Sequence, residues 1–566
     1  MARPYQAATP GAPTRRARAA ARAERLAQST CTARIAQRVS LGSVLARYRS
    51  RGAHALSASG PARRFPRLCI DRFDGLLLAV LGALSLWTVA INVWRAAEHG
   101  LIWTGSESVF PADALQSMMW IQGVLHHGAS PDLYVLAHTP TDFFQPLIGI
   151  SAAVAALGVA PYVVLLLWKP VALAGIFFAT RAYVHRALAG RARRRVALTL
   201  ALFFGWGAVI GDSWIPWWTW GYPFALLALT CAVGALLAYA GSRERERIGL
   251  LAPALGAMAS WLHPWQGEIL ILTLLGCELA MFARGERVRA APLLATVVAS
   301  ALPLGYFAAL VHFDSVWREE RRAAISTYPL SHVAAGFAAL ALPALLAYRR
   351  APRDFIALTV RVWPLAALGV FLISEWQGSG PTHALLGLTI PLAVLSVQGI
   401  CSLPWQAALR RMPALPLLSL PLVAALTIPG TIYMLDYAAA RSTPRPGNPH
   451  FVTGAENGAL AYLARDPRPG GVLAPFHLGM VVPAATARAT YLGNCYWSEP
   501  DCGYRSSVTN SLFAGRLSWA ASRRFVQRSG ARFVLADCRS RDLSAALAPI
   551  TARVRRFSCA TVYLLR

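Results

Sequence analysis

Apolar segments, each a candidate membrane crossing, follow one another along the chain from about residue 75 to residue 434. Hydrophobic residues make up 56% of the sequence and charged residues 14%, which is more apolar surface than a soluble core needs. A transmembrane helix requires about 20 mostly apolar residues. The segments therefore predict a polytopic α-helical membrane protein with about eleven crossings, at residues 75–95, 161–185, 196–211, 219–241, 248–262, 269–284, 291–311, 330–348, 355–374, 384–401 and 413–434.

Arginine-rich connections alternate with arginine-poor ones along this series, as at residues 191–195 and 243–247. The positive-inside rule assigns the arginine-rich connections to the cytoplasm. With the N-terminus inside, eleven crossings place everything after Asp436 outside the membrane. If residues 113–127 and 144–158 also cross, the number becomes thirteen, and the C-terminal part still lies outside.

The formal net charge of +29 would suggest a nucleic-acid partner in a soluble protein. Here the arginines lie in a tail, in short loops and in the C-terminal part, so we predict topology determinants and no nucleic acid. Residues 1–72 hold 15 arginines, two acidic residues and no apolar run, which predicts a disordered basic cytoplasmic tail touching membrane lipid. Residues 73–436 then form the membrane domain, with a first external loop at residues 97–142.

After Asp436 the long apolar segments give way to short ones. Residues 470–476 and 531–536 are typical of β-strands, and residues 518–529 show a helical pattern. Residues 437–566 therefore predict an extracytoplasmic α/β domain, which is large enough for its own core.

Four of the nine cysteines lie in this C-terminal part. An oxidising exterior favours disulfides over free thiols. Three pairings are possible, and the simplest is Cys495 with Cys502 and Cys538 with Cys559.

Several motifs occur in a defined order along the chain. A first apolar helix precedes a long external loop in which Asp113 enters an amphipathic helix, Asp113-Ala-Leu-Gln-Ser-Met-Met-Trp120. Phe143-Phe-Gln-Pro-Leu147, His263-Pro264 and Thr382-His-Ala-Leu-Leu follow in that order, and Arg532-Phe-Val-Leu-Ala lies near the C-terminus. This order resembles that of the GT-C superfamily of multi-spanning glycosyltransferases, including bacterial members with an extracytoplasmic domain.

The resemblance implies sugar transfer from a polyprenyl-phosphate donor to an acceptor hydroxyl on the outer face of the bacterial cytoplasmic membrane, with inversion. The acceptor would be a cell-envelope glycan, a lipid or a protein. Asp113 would be the general base that takes the proton of that hydroxyl. Its alternative role is the N-cap of a helix beginning at Ala114. Glu107 would be a second carboxylate, or a ligand with Asp113 for a divalent cation, or else a solvated loop charge.

Polar residues elsewhere on the predicted outer side are candidates for contact with substrate or donor phosphate. His263 precedes Pro264, so it either contacts the phosphate or only marks a helix boundary. His383 and Glu375 carry the same two interpretations.

Lys169 and two tryptophans complete the candidates. Lys169, the single lysine of the chain, lies within an apolar segment, where it must pair with an acid, bind the donor phosphate or open to internal water. Trp217 and Trp218 could form a sugar-stacking face, or belong to an interfacial tryptophan belt.

The competing class is a transporter or flippase of lipid-linked saccharides, or a membrane subunit without catalysis. A transporter should show internal repeats and charges near the bilayer midplane. The sequence shows no repeat, and its polar residues gather on one side, which favours one-sided chemistry.

Overall fold

The structure, a computed structural model, describes residues 70–566 except 108, 247–248, 324–326, 353, 378–379 and 404–418, and it leaves out the side chains of 207, 209 and 375–377. The predicted tail at residues 1–72 thus lies outside the described residues except for its last three. Residues 70–566 form one compact unit.

The described part of the membrane region is built mainly of helices. In chain order the elements are α1 (Arg72–Glu98), β1 (Ile102–Trp103), α2 (Pro111–His127), α3 (Pro146–Ala155), α4 (Pro161–Ala187), α5 (Arg191–Phe203), α6 (Pro223–Arg245), α7 (Leu251–Leu262), α8 (Pro264–Phe282), α9 (Ala290–Phe313), α10 (Ser315–Ala323), α11 (Leu330–Ala347), α12 (Phe355–Gln377), α13 (Thr389–Ile400) and α14 (Ser419–Arg441). Short 3-10 turns at Trp206–Val209, Gly211–Ser213, Ile215–Thr219 and Pro381–Leu385 connect α5 to α6 and α12 to α13.

Eight of these helices are long and apolar enough to cross a membrane, namely α1, α4, α6, α8, α9, α11, α12 and α14. The protein is therefore a multi-pass membrane protein. Each of the eleven predicted segments contains a helix, but α5, α7 and α13 have only 13, 12 and 12 residues. The end of α7 at His263 has a local cause, since the next residue is Pro264 at the first position of α8.

Helix α2 carries Asp113 and begins two residues before it, so Asp113 lies inside the helix and not at its N-cap. Its first residue is Pro111 and its N-cap is Phe110, so the alternative that Asp113 caps a helix starting at Ala114 is wrong. Asp113 lies in the first helical turn instead. A carboxylate there is favoured by the positive end of the helix dipole.

The ends of the helices that carry arginine-rich connections are tied together by ion pairs. Asp74 of α1 accepts a hydrogen bond from Arg181 Nε at 2.9 Å, and Glu278 of α8 accepts one from Arg243 Nε at 2.9 Å. Tyr239 also donates to Glu278, at 2.9 Å. We call this side of the molecule the arginine-rich end.

The C-terminal part contains a four-stranded sheet with helices. Its elements are β2 (Phe451–Val452), α15 (Gly454–Arg465), β3 (Val472–Leu473), α16 (Phe476–Thr486), α17 (Cys502–Phe513), α18 (Trp519–Arg528), β4 (Phe533–Ala536), α19 (Ser544–Leu547), β5 (Thr551–Phe557) and β6 (Ala560–Leu565). The sheet order is β3-β4-β6-β5, in which β3 and β4 are parallel and the other pairs antiparallel. The predicted strands at 470–476 and 531–536 and the predicted helix at 518–529 are confirmed. Disulfides join Cys495 to Cys502 and Cys538 to Cys559.

The segment predicted as the first external loop, residues 97–142, shares a hydrophobic core with the C-terminal part, which the sequence did not predict. Strand β1 pairs antiparallel with β2, with Trp103 opposite Phe451. Leu115 and Met118 of α2 belong to the same buried cluster as Leu478 of α16. Helix α2, and with it Asp113, is therefore held by the C-terminal part as well as by the bundle.

Candidate functional site

Asp113 lies half-buried at the end of the bundle opposite the arginine-rich end, in a helix that is not one of the candidate membrane spans. The Tyr222 hydroxyl donates a hydrogen bond to its carboxylate. Burial raises the pKa of Asp113 to about 7, the Tyr222 hydrogen bond opposes this rise, and the negative charge of Asp212 adds to it. Asp113 is thus a carboxyl group that ionises near neutral pH.

Asp212 belongs to a tryptophan-rich connection between α5 and α6. The indole N–H of Trp218 donates to the Asp212 carbonyl at 2.8 Å, and that of Trp220 donates to the Leu84 carbonyl at 2.8 Å. The side chains of Trp217 and Trp218 are only 8% and 1% exposed. Neither ring presents an open face to a sugar or to lipid, because both are buried in this connection, and Trp218 also holds the Asp212 backbone.

His263 and His383 come together from two separate loops. His263 Nε2 lies 3.1 Å from His383 Nδ1, and the two rings are parallel with centroids 5.2 Å apart. The edge of Trp218 packs against both rings, and Thr382 donates a hydrogen bond to the Asp212 carboxylate. Asp113, Asp212 and the two histidines therefore form one connected group, which we call the Asp113 site together with Tyr222 and Thr382.

The two histidines are neutral at physiological pH. Burial lowers the pKa of His263 well below its usual value, and the neighbouring His383 lowers it further. Burial also lowers the pKa of His383, although Asp212 opposes that shift. In a pair of neutral imidazoles, one ring nitrogen donates and the other accepts. The buried Nδ1 atom of His263 has no hydrogen-bond partner among the described residues.

Glu107 and Lys169 form an ion pair with each other. Lys169 Nζ bonds to the Glu107 carboxylate and, at 2.9 Å, to the Thr219 carbonyl. Thr88 donates to the same carboxylate at 2.9 Å. Both charged side chains are buried. Pairing with an acid was one interpretation of Lys169, and it neutralises the charge that a donor phosphate would otherwise meet.

The carboxylate that interacts electrostatically with Asp113 is Asp212 rather than Glu107. Asp212 was not among the site residues predicted from the sequence. Its position between Gly211 and a run of tryptophans is the local signal that could have identified it. The side chain of Glu375, another candidate, lies outside the described residues, although residue 375 itself falls in α12.

One group in the described part of the chain offers ligand atoms for a metal ion, and it lies in the C-terminal part. Ligand atoms of Glu456, His477 and Asp537 lie within 4.8 Å of one another, and all three residues are buried. Arg539 Nη2 already contacts this group, at 3.1 Å from Asp537 Oδ2 and 3.0 Å from His477 Nε2. Neither Asp113 nor Glu107 belongs to it, and the Glu107 carboxylate is occupied by Lys169.

Comparison with solved structures identifies the fold. An oligosaccharyltransferase of Archaeoglobus fulgidus superposes with a TM-score of 0.50 and 12% identity, covering 82% of this chain and 69% of that chain. ArnT from Cupriavidus metallidurans bound to undecaprenyl phosphate gives 0.49 and 15%, covering 87% and 98%. The mycobacterial arabinofuranosyltransferase AftD gives 0.49 and 16%, covering 82% and 36%.

No protein-family model matches the sequence, and no curated protein matches it either. The likeness is therefore one of fold. The chain has the fold of the GT-C membrane glycosyltransferases, a helical membrane bundle followed by a smaller C-terminal part with a β-sheet, as its sequence resemblance predicts.

Proposed function

We propose that the protein is a GT-C-type glycosyltransferase that moves a sugar from a polyprenyl-phosphate donor to an acceptor hydroxyl, with inversion. The observation that carries the proposal is Asp113, a half-buried carboxyl group with a pKa raised to about 7 beside the Tyr222 hydroxyl. A general base works best when its pKa lies near the operating pH. The Archaeoglobus protein of the same fold is an oligosaccharyltransferase, which agrees with sugar transfer.

The reaction is a single displacement at the anomeric carbon. The acceptor oxygen forms a bond to the anomeric carbon. At the same time the bond between that carbon and the phosphate oxygen breaks, and the polyprenyl phosphate leaves as an anion. Asp113 accepts the proton of the acceptor hydroxyl. Because the acceptor attacks opposite the leaving phosphate, the anomeric configuration inverts.

The His263–His383 pair is our candidate for contact with the leaving phosphate. A phosphate that gains charge as its bond breaks is stabilised by fixed hydrogen-bond donors in a site that excludes water. When His383 Nδ1–H donates to His263 Nε2, the single N–H of His263 is on Nδ1, a buried ring nitrogen with no partner in the described part of the chain. Lys169 is not proposed for this role, since Glu107 holds its ammonium.

The polar contacts at the arginine-rich end argue against a transporter. A transporter needs a polar lining that reaches the opposite side of the membrane. At that end Asp74 is paired with Arg181, and Glu278 is paired with Arg243. Arg361 of α12 donates to the carbonyls of Ala357 at 2.7 Å and Ala347 at 3.0 Å. These polar groups are engaged with one another instead of lining a path.

The orientation follows from the same charges. We propose that the arginine-rich end faces the cytoplasm of a bacterium and that the Asp113 site and the C-terminal part lie outside, in an inner-membrane protein. Alkaline phosphatase fused after residue 440 should then be active, and green fluorescent protein fused there should be dark. The reverse pattern would overturn the orientation.

Activity is tested with purified protein in lipid nanodiscs and radiolabelled polyprenyl-phosphate sugars, hexoses and pentoses in parallel. Release of polyprenyl phosphate together with a labelled glycoside of inverted configuration is the expected result. Labelled donor that moves between the leaflets of proteoliposomes with its glycosidic bond intact would instead identify a flippase.

A further inference from the structure

A loop of the C-terminal part, residues 493–502, is fixed onto the helix that carries Asp113. We call it the disulfide loop, because the bond between Cys495 and Cys502 closes it. Asn494 Nδ2 donates to Gln116 Oε1 of α2 at 3.3 Å. The Trp497 ring packs edge-on against Trp120 of the same helix, with centroids 5.9 Å apart.

The interior of the disulfide loop is equally constrained. Asn494 Oδ1 accepts from the Tyr496 backbone N–H at 3.2 Å, which fixes the turn that leads into Tyr496. Ser498 Oγ donates to the Tyr134 carbonyl at 3.0 Å and accepts from the Gly493 N–H at 2.9 Å. A loop held by a disulfide, by buried hydrogen bonds and by packed tryptophans presents its remaining side chains in a defined geometry.

Tyr496 is the exposed aromatic side chain of this loop. It follows Asn494 by two residues and precedes the buried Trp497 by one, yet it is 53% exposed. Gln116, the anchor of Asn494, lies three residues after Asp113, or about 4.5 Å along the helix axis. Burial raises the pKa of the Tyr222 hydroxyl, which hydrogen-bonds Asp113, and Tyr496 is near enough to add to that rise when it is ionised.

Exposure of a large aromatic ring forgoes the free energy gained by burying it. The Tyr496 ring stacks on no other ring among the described residues, although its two neighbours are fully engaged. A flat apolar face with a hydroxyl at its tip matches a sugar ring, which presents C–H groups on its face and hydroxyls on its rim.

We propose that Tyr496 is an acceptor-positioning residue whose ring stacks on a sugar unit of a glycan acceptor and directs one of its hydroxyls toward Asp113. This inference rests on the proposed glycosyl transfer. It assigns the acceptor to the carbohydrate class and gives the C-terminal part a direct role at the site. Peptide and lipid acceptors would not require such a stacking face.

The test compares Tyr496→Ala, Tyr496→Phe and Tyr504→Ala, with octyl mannoside and octyl glucoside as acceptor probes. Tyr504 is the matched control, because it is also exposed and lies in the same part of the protein, beside Tyr491. Loss of the ring should raise the KM for the glycoside about tenfold, which is the size of effect expected of one stacking contact. Hydrolysis of the donor by water should stay within about twofold of wild type, because it needs no bound acceptor.

Tyr496→Phe should keep most of the affinity for the probe, since it retains the stacking face. An unchanged KM in Tyr496→Ala, or an equal loss in Tyr504→Ala, would overturn the proposal. Saturation-transfer NMR with octyl mannoside provides a readout that needs no turnover, and its signal should fall in Tyr496→Ala only. If wild-type protein binds the glycoside but never cleaves the donor, the proposed reaction fails while the Tyr496 contact stands.

Discussion

Glu107 and Asp113 lie only six residues apart in the chain, yet the structure gives them opposite environments. Glu107 is buried against a lysine ammonium and accepts a hydrogen bond from Thr88, so its charge is neutralised. Burial and the nearby Asp212 carboxylate both oppose the charge of Asp113, and only the Tyr222 hydrogen bond favours it. The first arrangement holds a loop to the bundle, whereas the second keeps a proton acceptor ready near neutral pH. The difference lies in the partners, which come from distant parts of the chain.

The largest expected effect is on catalysis, through Asp113→Asn. The amide keeps the size of the side chain but cannot accept the proton of the acceptor hydroxyl. Transfer in the nanodisc assay should fall by a factor of about 10² to 10⁴. Glu107→Gln combined with Lys169→Met is the control, because it removes the other carboxylate of the loop together with its partner. If Asp113→Asn keeps more than about a tenth of wild-type activity, Asp113 is not the base.

The second prediction concerns stability and Lys169→Met. Taken alone, a lone lysine in an apolar segment suggests that methionine would be neutral or stabilising there. The pairing reverses that expectation, because the substitution leaves the Glu107 carboxylate buried without its cation. Breaking a buried ion pair in this way costs about 3–5 kcal/mol. Thermal unfolding in detergent should show the loss, and adding Glu107→Gln should restore most of it.

Equal stability of the single and double variants would show that the pair contributes little. If the double variant is stable but inactive, the Glu107–Lys169 pair serves catalysis and is not purely structural.

The smallest expected effect is a shift in pH dependence through Asp212→Asn. Since the active form of Asp113 is ionised, kcat/KM of the wild type should rise about tenfold per pH unit up to roughly pH 7 and then level off. Asp212 raises the pKa of Asp113, so its removal should move this rise to lower pH. An unmoved profile would remove Asp212 from the electrostatics of the site.

Stability should follow the same ionisation with the opposite sign. The pKa of Asp113 is about 7 in the folded protein against 3.8 as a reference, so the unfolded chain releases this proton first. Ionisation therefore lowers the free energy of unfolding as the pH rises from about 4 to about 7. At pH 8, Asp113→Asn should have a melting temperature equal to or higher than that of the wild type.

Local sequence patterns predicted the local structure well. Apolar segments gave helices, the β-type runs at 470–476 and 531–536 gave strands, and Pro264 marked the start of a helix. These features depend on residues within a few positions of each other, which is why composition and periodicity suffice. The short lengths of α5, α7 and α13 were missed, since hydropathy reports apolar character and not where a helix ends.

The site itself required contacts between distant residues. The Glu107–Lys169 pair spans 62 positions, and the His263–His383 contact spans 120. No pattern in a single sequence reports which acidic residue of a loop meets a lysine and which meets a tyrosine. The burial of Trp217 and Trp218 was hidden for the same reason, because an aromatic run looks alike whether it faces a ligand or fills a core.

The pairing of β1 with β2 also determines when the protein can begin to work. Ile102 meets Val452 across the sheet, so the helix that starts at Pro111 acquires its second support only after some 340 further residues have been made. At about 5–20 residues per second, the ribosome needs roughly 20 to 70 seconds for that stretch. By the end of this interval the nascent chain carries Asp113, Asp212 and both histidines, but not yet the strand that supports the helix of Asp113. If the proposed reaction holds, a product terminated before the last quarter of the chain would contain the Asp113 site without the C-terminal support of its helix.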